Sequence, residues 1–274
     1  MNRKKMQGWL LALPALIALG VGYLLPLAIA LYKSLFAGMS TDFVGLENYA
    51  DLFGNYAFGL AAKNLLRLWC IAIPLNLVLG VLLAVLCVEA AGPRLRLAFF
   101  FPGILPAACV VMAAAEGVSL LGWEDFWTFE AASALVWLAI ALWKTLGYTV
   151  LICAAFFESI PAEVTDAAQL DGAGFWQCLL RVRLPLIGRG LVLSAILVVF
   201  NGYRCFREAY LIGGEHPHEE LYSLQLFLQN NFANMNYARL EAASILVVVA
   251  VLAAGLAILG IWKRYHGRTG HADK

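Results

Sequence analysis

Glu116, Lys144, Tyr148, Asn201, Arg204, Arg207 and Glu208 lie inside runs of otherwise apolar residues. An Arg or Lys held at the centre of a bilayer costs about 2.5–3.5 kcal/mol on insertion scales, so such groups either line a polar path or pair with one another. Glu116 and Lys144 are candidates for a pair across helices, and Arg204 and Glu208, four residues apart, for a pair along one. Tyr148, Asn201 and Tyr203 can hydrogen-bond a polar solute or join one helix to the next. The chemistry on offer is binding. Four histidines, His216, His218, His266 and His271, all fall in polar segments, and no HExxH motif is present. Six cysteines, at 70, 87, 109, 153, 178 and 205, form no CxxC and no Cys/His cluster, so they read as buried free thiols. No nucleophile–base set or metal site emerges, which argues against an intramembrane enzyme.

The elements that carry these residues are membrane helices. Of the 274 residues 62% are apolar and 14% charged, against about a quarter charged in a soluble domain. The net charge of +1 implies no nucleic-acid partner. A crossing of about 30 Å takes roughly 20 apolar residues. Six segments qualify: Trp9–Tyr32, Leu68–Val88, Ala98–Leu121, Ala132–Phe157, Arg189–Leu211 and Leu240–Trp262. Within lipid only a helix satisfies its own backbone groups over such a length, so the class is all-α, a single membrane unit with six transmembrane helices. Arg3, Lys4 and Lys5 precede the first run, which is longer than a signal-peptide core and is expected to remain as an uncleaved span.

Lysine and arginine orient the chain. Arg3, Lys4, Lys5, Arg94, Arg96, Arg181, Arg183, Arg189, Lys263, Arg264 and Arg268 fall on one side, while the opposite loops are acidic, with Glu124, Asp125, Glu215, Glu219 and Glu220. Both termini are expected in the cytoplasm. Trp9, Tyr32, Trp69, Trp123, Trp127 and Trp262 mark interfacial belts, and Pro14, Pro26, Pro74, Pro102 and Pro106 mark kinks in or near spans. In the external segment FVGLENYADLF, Phe43, Leu46, Tyr49 and Phe53 recur at helical spacing and predict a short amphipathic surface helix.

The loop between spans four and five, residues 158–188, is unusually rich in charge and glycine for this chain. Pro161 suits a first helical turn. Val164, Ala167 and Ala168 then share a small, smooth face. Gly172 suits a helix end. A second helix is expected from about Gly174, with Phe175, Leu179 and Val182 as its apolar stripe, Trp176 and Leu180 beside it, and a stop at Pro185. The pattern fits a surface gripped by another protein, and it fits equally a loop packed on its own chain.

Asp166-Ala167-Ala168, three residues, Gly172, nine residues, then Val182-x-Leu184-Pro185 resembles the EAA signature, E-A-A-x3-G-x9-I-x-L-P, of permeases of binding-protein-dependent ABC importers. Aspartate stands for glutamate and valine for isoleucine. Leu170-Asp171-Gly172-Ala173 resembles the IDGA of the maltose-type sugar branch. FVGLENYADLF, Phe99-Phe100-Phe101-Pro102, Trp143-Lys144-x-x-Gly147 and Gly213-Gly214-Glu215-His216-Pro217 resemble further segments of those permeases. The loop Gly122–Ala131 is shorter than the family's usual, and Glu215–Tyr237 is unusual in its His, Glu and Asn content.

The resemblance implies a permease subunit in a bacterial or archaeal inner membrane. It would work by alternating access beside a second homologous permease, two ABC ATPase subunits and an extracellular solute-binding protein, with a sugar or oligosaccharide as cargo. Residues 161–172 would be the helix that couples to an ATPase, with Asp166, Ala167, Ala168, Asp171, Gly172, Leu184 and Pro185 in the coupling loop. Glu116, Lys144, Tyr148, Asn201 and Arg204 are the candidates for the solute path. No GxxxxGK[ST] phosphate loop is present, so ATP is expected on the partner subunits and no cofactor on this chain. A secondary transporter or channel acting without an ATPase is the alternative, and it would need its own ion site at mid-membrane.

Overall fold

A computed structural model describes residues 3–38, 40, 42–91, 93–122, 130–214 and 217–269. Trp123, Trp127, Glu124, Asp125, Glu215, His216 and His271 lie outside them. The described residues are helical, with turns between helices and one isolated antiparallel bridge, Phe36 with Phe43. The chain divides into two compact units, residues 1–59 with 227–250 and residues 60–226 with 251–274. Five helical runs are long and apolar enough to cross a membrane: Leu11–Lys33, Tyr56–Glu89, Ala132–Glu158, Gly188–Gly213 and Tyr237–Arg264. A sixth candidate, Arg94–Ile104 with Ala107–Leu120, is bent by 95° at its middle.

In the first unit, α1 (Arg3–Leu19), a π-turn (Gly20–Leu24) and α2 (Leu25–Lys33) form the first run. The chain then folds back on itself. Ser34 is fully buried and its hydroxyl meets the Tyr49 hydroxyl at 2.7 Å. Asn48 Nδ2 donates to the carbonyls of Ser34 and Phe36, both at 2.8 Å. These bonds limit the expected 43–53 helix to α3 (Glu47–Phe53). Phe43 is held instead against Phe36, ring edge to face, and Gly45 at φ +61° turns the chain before the helix starts. Leu52 is the buried anchor of α3, while Phe43, Leu46 and Phe53 remain exposed.

The second unit holds most of the remaining spans; by residue number Tyr56–Glu89 begins in the first unit and Tyr237–Arg264 is divided between the two. Helix α4 (Tyr56–Leu86) runs into a π-turn (Cys87–Ala91). It begins about a dozen residues before the apolar run predicted from sequence. Those extra turns carry Asn64 and Arg67, whose polar groups are met by the Glu219 and Tyr222 carbonyls (2.6 and 3.0 Å) and by Glu220 (3.3 Å). Next come α5 (Pro93–Ile104), α6 (Ala107–Leu120) and α7 (Glu130–Glu158). The third span is therefore not one continuous helix. Proline 106 has no N–H and drives the residue before it out of the helical region; it sits at φ −57°, ψ 141° as the N-cap of α6.

After α7 follow α8 (Ala162–Leu170), α9 (Phe175–Cys178), a π-turn (Leu179–Arg183), α10 (Leu184–Leu186), α11 (Gly188–Arg204), α12 (Phe206–Gly213), a 3₁₀ turn (Glu219–Leu221), α13 (Leu224–Ala233) and α14 (Tyr237–Thr269). Proline 185 does not stop the helix as the sequence suggests. Helical backbone passes through it, and the kink comes at Ile187 (φ −85°, ψ 11°). The reason recurs twice more. The three π-turns among the described residues end at Leu24, Ala91 and Arg183, each two residues before a proline: Pro26, Pro93 and Pro185. A proline ring clashes with the carbonyl four residues back, and widening the preceding turn to an i→i+5 pattern makes room for it.

Helices α4 and α7 are joined by a buried polar lock. Asn76 Nδ2 donates to Thr145 Oγ1 at 2.8 Å, Thr149 Oγ1 donates to Asn76 Oδ1 at 2.5 Å, and Thr145 Oγ1 also donates to the Ala141 carbonyl. Asn76 and Thr149 are fully buried. Such bonds between membrane helices average about 0.6 kcal/mol and reach about 1.7. Asn76→Ala breaks both and orphans a buried hydroxyl, so a loss of about 1–3 kcal/mol is expected, read as a lowered unfolding temperature of the detergent-solubilised protein. Close approach does the rest. A Cβ on Gly147 would collide with the Phe99 carbonyl and lie 2.7 Å from Phe100 Cα. A Cβ on Gly190 would lie 2.7 Å from the Phe156 ring.

The cysteines carry no disulfide among the described residues. Cys87, Cys153, Cys178 and Cys205 are buried, but Cys70 and Cys109 are exposed, contrary to the expectation of uniformly buried thiols. Both face outward from apolar helices, where burial within the chain is not required.

Candidate functional site

Two breaks in helix bring the polar residues together. The first is the 95° bend at Leu105–Pro106; the second lies between α11 and α12, where Cys205 takes φ −72°, ψ 21°. Trp137 Nε1 donates to the Cys205 carbonyl at 2.9 Å, which satisfies the acceptor freed by the second break. Irregular backbone at membrane depth is tolerated where it is buried in protein or lines a cavity, and here it does line one.

That cavity has a volume of about 420 Å³ and a mainly polar wall. Lys144, Tyr148, Asn201 and Arg204 all line it, as do Arg207, Glu208 and Gln225. Glu116 does not: it is exposed on α6, away from the cavity wall. Its expected pairing with Lys144 is also replaced. Lys144 Nζ lies 2.5 Å from Glu208 Oε1, across α7 and α12, with side-chain exposures of 15% and 5%. The bend redirects α6, so Glu116 is turned away while Glu208, beyond the second break, is brought in. Arg204 is correspondingly free of Glu208; its guanidinium stands 6.0 Å from the Phe200 ring centroid. Asn201 spends its Nδ2 on the Leu197 carbonyl of its own helix at 2.9 Å. Tyr148 packs edge-on against Phe100 with centroids 5.2 Å apart. The sequence does not single out Asn76, and it offers Glu208 as a partner of Arg204, where the structure pairs it with Lys144. A lone asparagine in an apolar run, two residues after Pro74, is the one signal for the former.

The second candidate surface is the loop from α7 to α11. No residue of α8 is buried. Its end forms a Schellman motif: Ala173 N–H donates to the Ala168 carbonyl and Gly172 N–H to the Gln169 carbonyl, both at 3.0 Å, with Gly172 at φ +83°. Gly174 N–H is held by Gln177 Oε1 at 3.1 Å, which opens α9. Asp166, Ala167, Asp171, Gly172 and Pro185 are exposed, as are Leu170, Phe175, Trp176 and Leu180, while Ala168 and Leu184 are half-buried.

The exposed helix is firmly rooted. Leu179 and Ile187 are buried among Val81, Ala84 and Val85 of α4 and Cys153, Ala154 and Phe157 of α7. Arg183 pairs with Glu89 and lies 4.9 Å over the Phe157 ring. Arg96 grips Glu158 with both terminal nitrogens, one at 2.7 Å. These contacts tie the loop to α4, α5 and α7. The pairing partners Glu89 and Glu158 lie far along the chain from Arg183 and Arg96, and no local period announces them.

Residues 57–269 match the family described as binding-protein-dependent transport system inner membrane component. The osmoprotective compounds uptake permease protein GgtC of Synechocystis sp. is 28% identical over 261 aligned positions, 86% of this chain and 92% of its own. The sulfoquinovosyl glycerol transport system permease protein SmoG of Agrobacterium fabrum is 27% identical, covering 93% of this chain and 88% of its own. The trehalose/maltose transport system permease protein MalF of Thermococcus litoralis is 26% identical, covering 94% of each. A chain in the crystal structure of a bacterial ABC transporter involved in the import of the acidic polysaccharide alginate shares the fold, with a TM-score of 0.78 at 19% identity over 96% of both chains.

Proposed function

Because the chain belongs to the binding-protein-dependent transport system inner membrane component family, we propose that it is the permease of an ATP-driven importer, with a sugar or oligosaccharide as cargo and its ATPase on separate subunits. The observation that carries this reading is the rooted helix α8, none of whose residues is buried. A helix with no buried residue gains nothing from its own chain, yet both of its ends are tied to the buried core. That is the form required of a part that takes up force from outside.

In this reading six spans place both termini in the cytoplasm, and α8 docks in a cleft of one cytoplasmic ATPase. Asp166, Asp171 and the small face of Ala167 and Ala168 meet that partner. ATP closes the ATPases and displaces α8. Leu179, Leu184 and Ile187 pass the displacement to α4 and α7, and the cavity at Lys144, Tyr148, Asn201 and Arg204 changes its access from one side to the other, as a two-state element requires. A second, homologous permease completes the path, and an extracellular binding protein delivers the solute. The relatives' names range from trehalose and maltose to osmoprotective compounds and sulfoquinovosyl glycerol; they agree on the class of machine more than on the cargo.

Affinity purification of the tagged chain from its native membrane tests the proposal. An ABC ATPase is expected to co-purify, and uphill uptake into vesicles is expected only with ATP and that subunit present. Uphill transport by the isolated chain would overturn it.

A further inference from the structure

The permease reading leaves the charge of the cargo open, and the cavity constrains it. Four side chains that carry a formal charge at neutral pH line its wall: Lys144, Arg204, Arg207 and Glu208. Lys144 and Glu208 neutralise one another at 2.5 Å. Neither Arg204 nor Arg207 has an ion pair among the described residues. The wall therefore carries two uncompensated guanidinium charges, both within the run Gly188–Gly213. Both side chains are exposed to the open side of the cavity, and a charge carried within a membrane-spanning run is a functional-site hypothesis by default. The first turn of α6 adds to the same field. It starts at Ala107 on the cavity wall, and its N–H groups have no acceptor within the helix, so the positive end of the α6 dipole faces the cavity.

We infer that the cargo is an acidic sugar whose anionic group is held by Arg204 and Arg207. Planar guanidinium forks suit a carboxylate or sulfonate, which accepts two parallel N–H donors. Tyr148, Asn201 and Gln225 meet the hydroxyls of the same ligand across the cavity. The volume of about 420 Å³ lies in the range of small-molecule sites, roughly 300–1,000 Å³. The Lys144–Glu208 pair is internally neutral, so it shapes the wall while the arginines supply the attraction.

The inference rests on the permease reading but fails separately from it. The test uses the purified permease–ATPase assembly without its binding protein, so that the permease's own preference is read. Saturation-transfer NMR compares gluco-, galacto- and mannuronate mono- and disaccharides with the corresponding neutral sugars. The acids are expected to bind at least ten-fold more tightly and to weaken as salt is raised. Arg204→Gln with Arg207→Gln should abolish the difference, and Arg204→Lys with Arg207→Lys, which keeps the charge but loses the fork, should retain part of it, which separates charge from folding. Equal affinity for acid and neutral sugar, tighter binding of the neutral sugar, or binding of no acid at all would each overturn the inference. If ATPase co-purification and ATP-driven uptake persist in those cases, the permease reading stands; if they are absent in the wild-type assembly, it falls whatever the sugars do.

Discussion

Replacing Lys144 with methionine is expected to cost about 3–5 kcal/mol of stability, the range found when one partner of a buried ion pair is removed. Glu208 is the reason. Its side chain is 5% exposed and its carboxylate has Lys144 Nζ at 2.5 Å as its ion-pair partner among the described residues. Without the lysine, a charge is left desolvated beside a helix break. The double variant Lys144→Met with Glu208→Leu should recover most of the loss, because replacing both members of a buried pair by apolar groups is close to neutral. Thermal unfolding of the four proteins of this cycle in detergent measures the coupling directly. A single variant as stable as the wild type would mean that the pair does not hold α7 to α12. The same cycle distinguishes Glu208 from Glu116: Glu116→Gln should change little, since that side chain is exposed.

The contrast between those two glutamates shows how far the sequence alone carries. Hydropathy finds every apolar run, because a run of that length has one physical outcome in lipid. It finds the costly polar residues too, and four of the five solute-path candidates share one cavity wall. Their pairing is another matter. The pairing of Glu116 with Lys144 assumes a regular helix through residues 98–121; the chain instead bends by 95° at Pro106, after α5 has packed closely on α7 at Gly147 and Gly103. At α10 a proline has the opposite outcome. Pro185 ends a regular α-helix, yet the π-turn before it absorbs the clash and lets the helix run on to Ile187. Local rules name the perturbation, and only the tertiary structure decides whether it bends the chain or is taken up. The helix-break-helix form of residues 161–178 was legible because caps and glycine are local signals, whereas the ion pairs Arg183–Glu89 and Arg96–Glu158 that root it join residues far apart in sequence.

The second large effect belongs to Gly172. Two glycines stand two residues apart at the turn between α8 and α9, and a Cβ on either would meet no atom within 4 Å. They differ in backbone alone. Gly172 sits at φ +83°, where an L side chain is strained; Gly174 sits at φ −68°, ψ 166°, open to any residue. Left-handed backbone costs a non-glycine residue roughly 1–2 kcal/mol, most for β-branched types. Gly172→Val can relieve that strain only by giving up the Gly172 and Ala173 hydrogen bonds that close α8, which swings α8 relative to α9 and to the buried anchors Leu179 and Ile187. Every 1.4 kcal/mol is ten-fold in a population, so ATP-driven uptake should fall by about five- to thirty-fold. The amount of chain in the membrane should hold, since α8 buries nothing. Gly174→Val, equal in bulk and close by, should transport within about two-fold of the wild type, because its open site and extended φ leave the chain free to accept a side chain. If the two variants behaved alike in uptake, the orientation of α8 could not be what couples this chain to its ATPase.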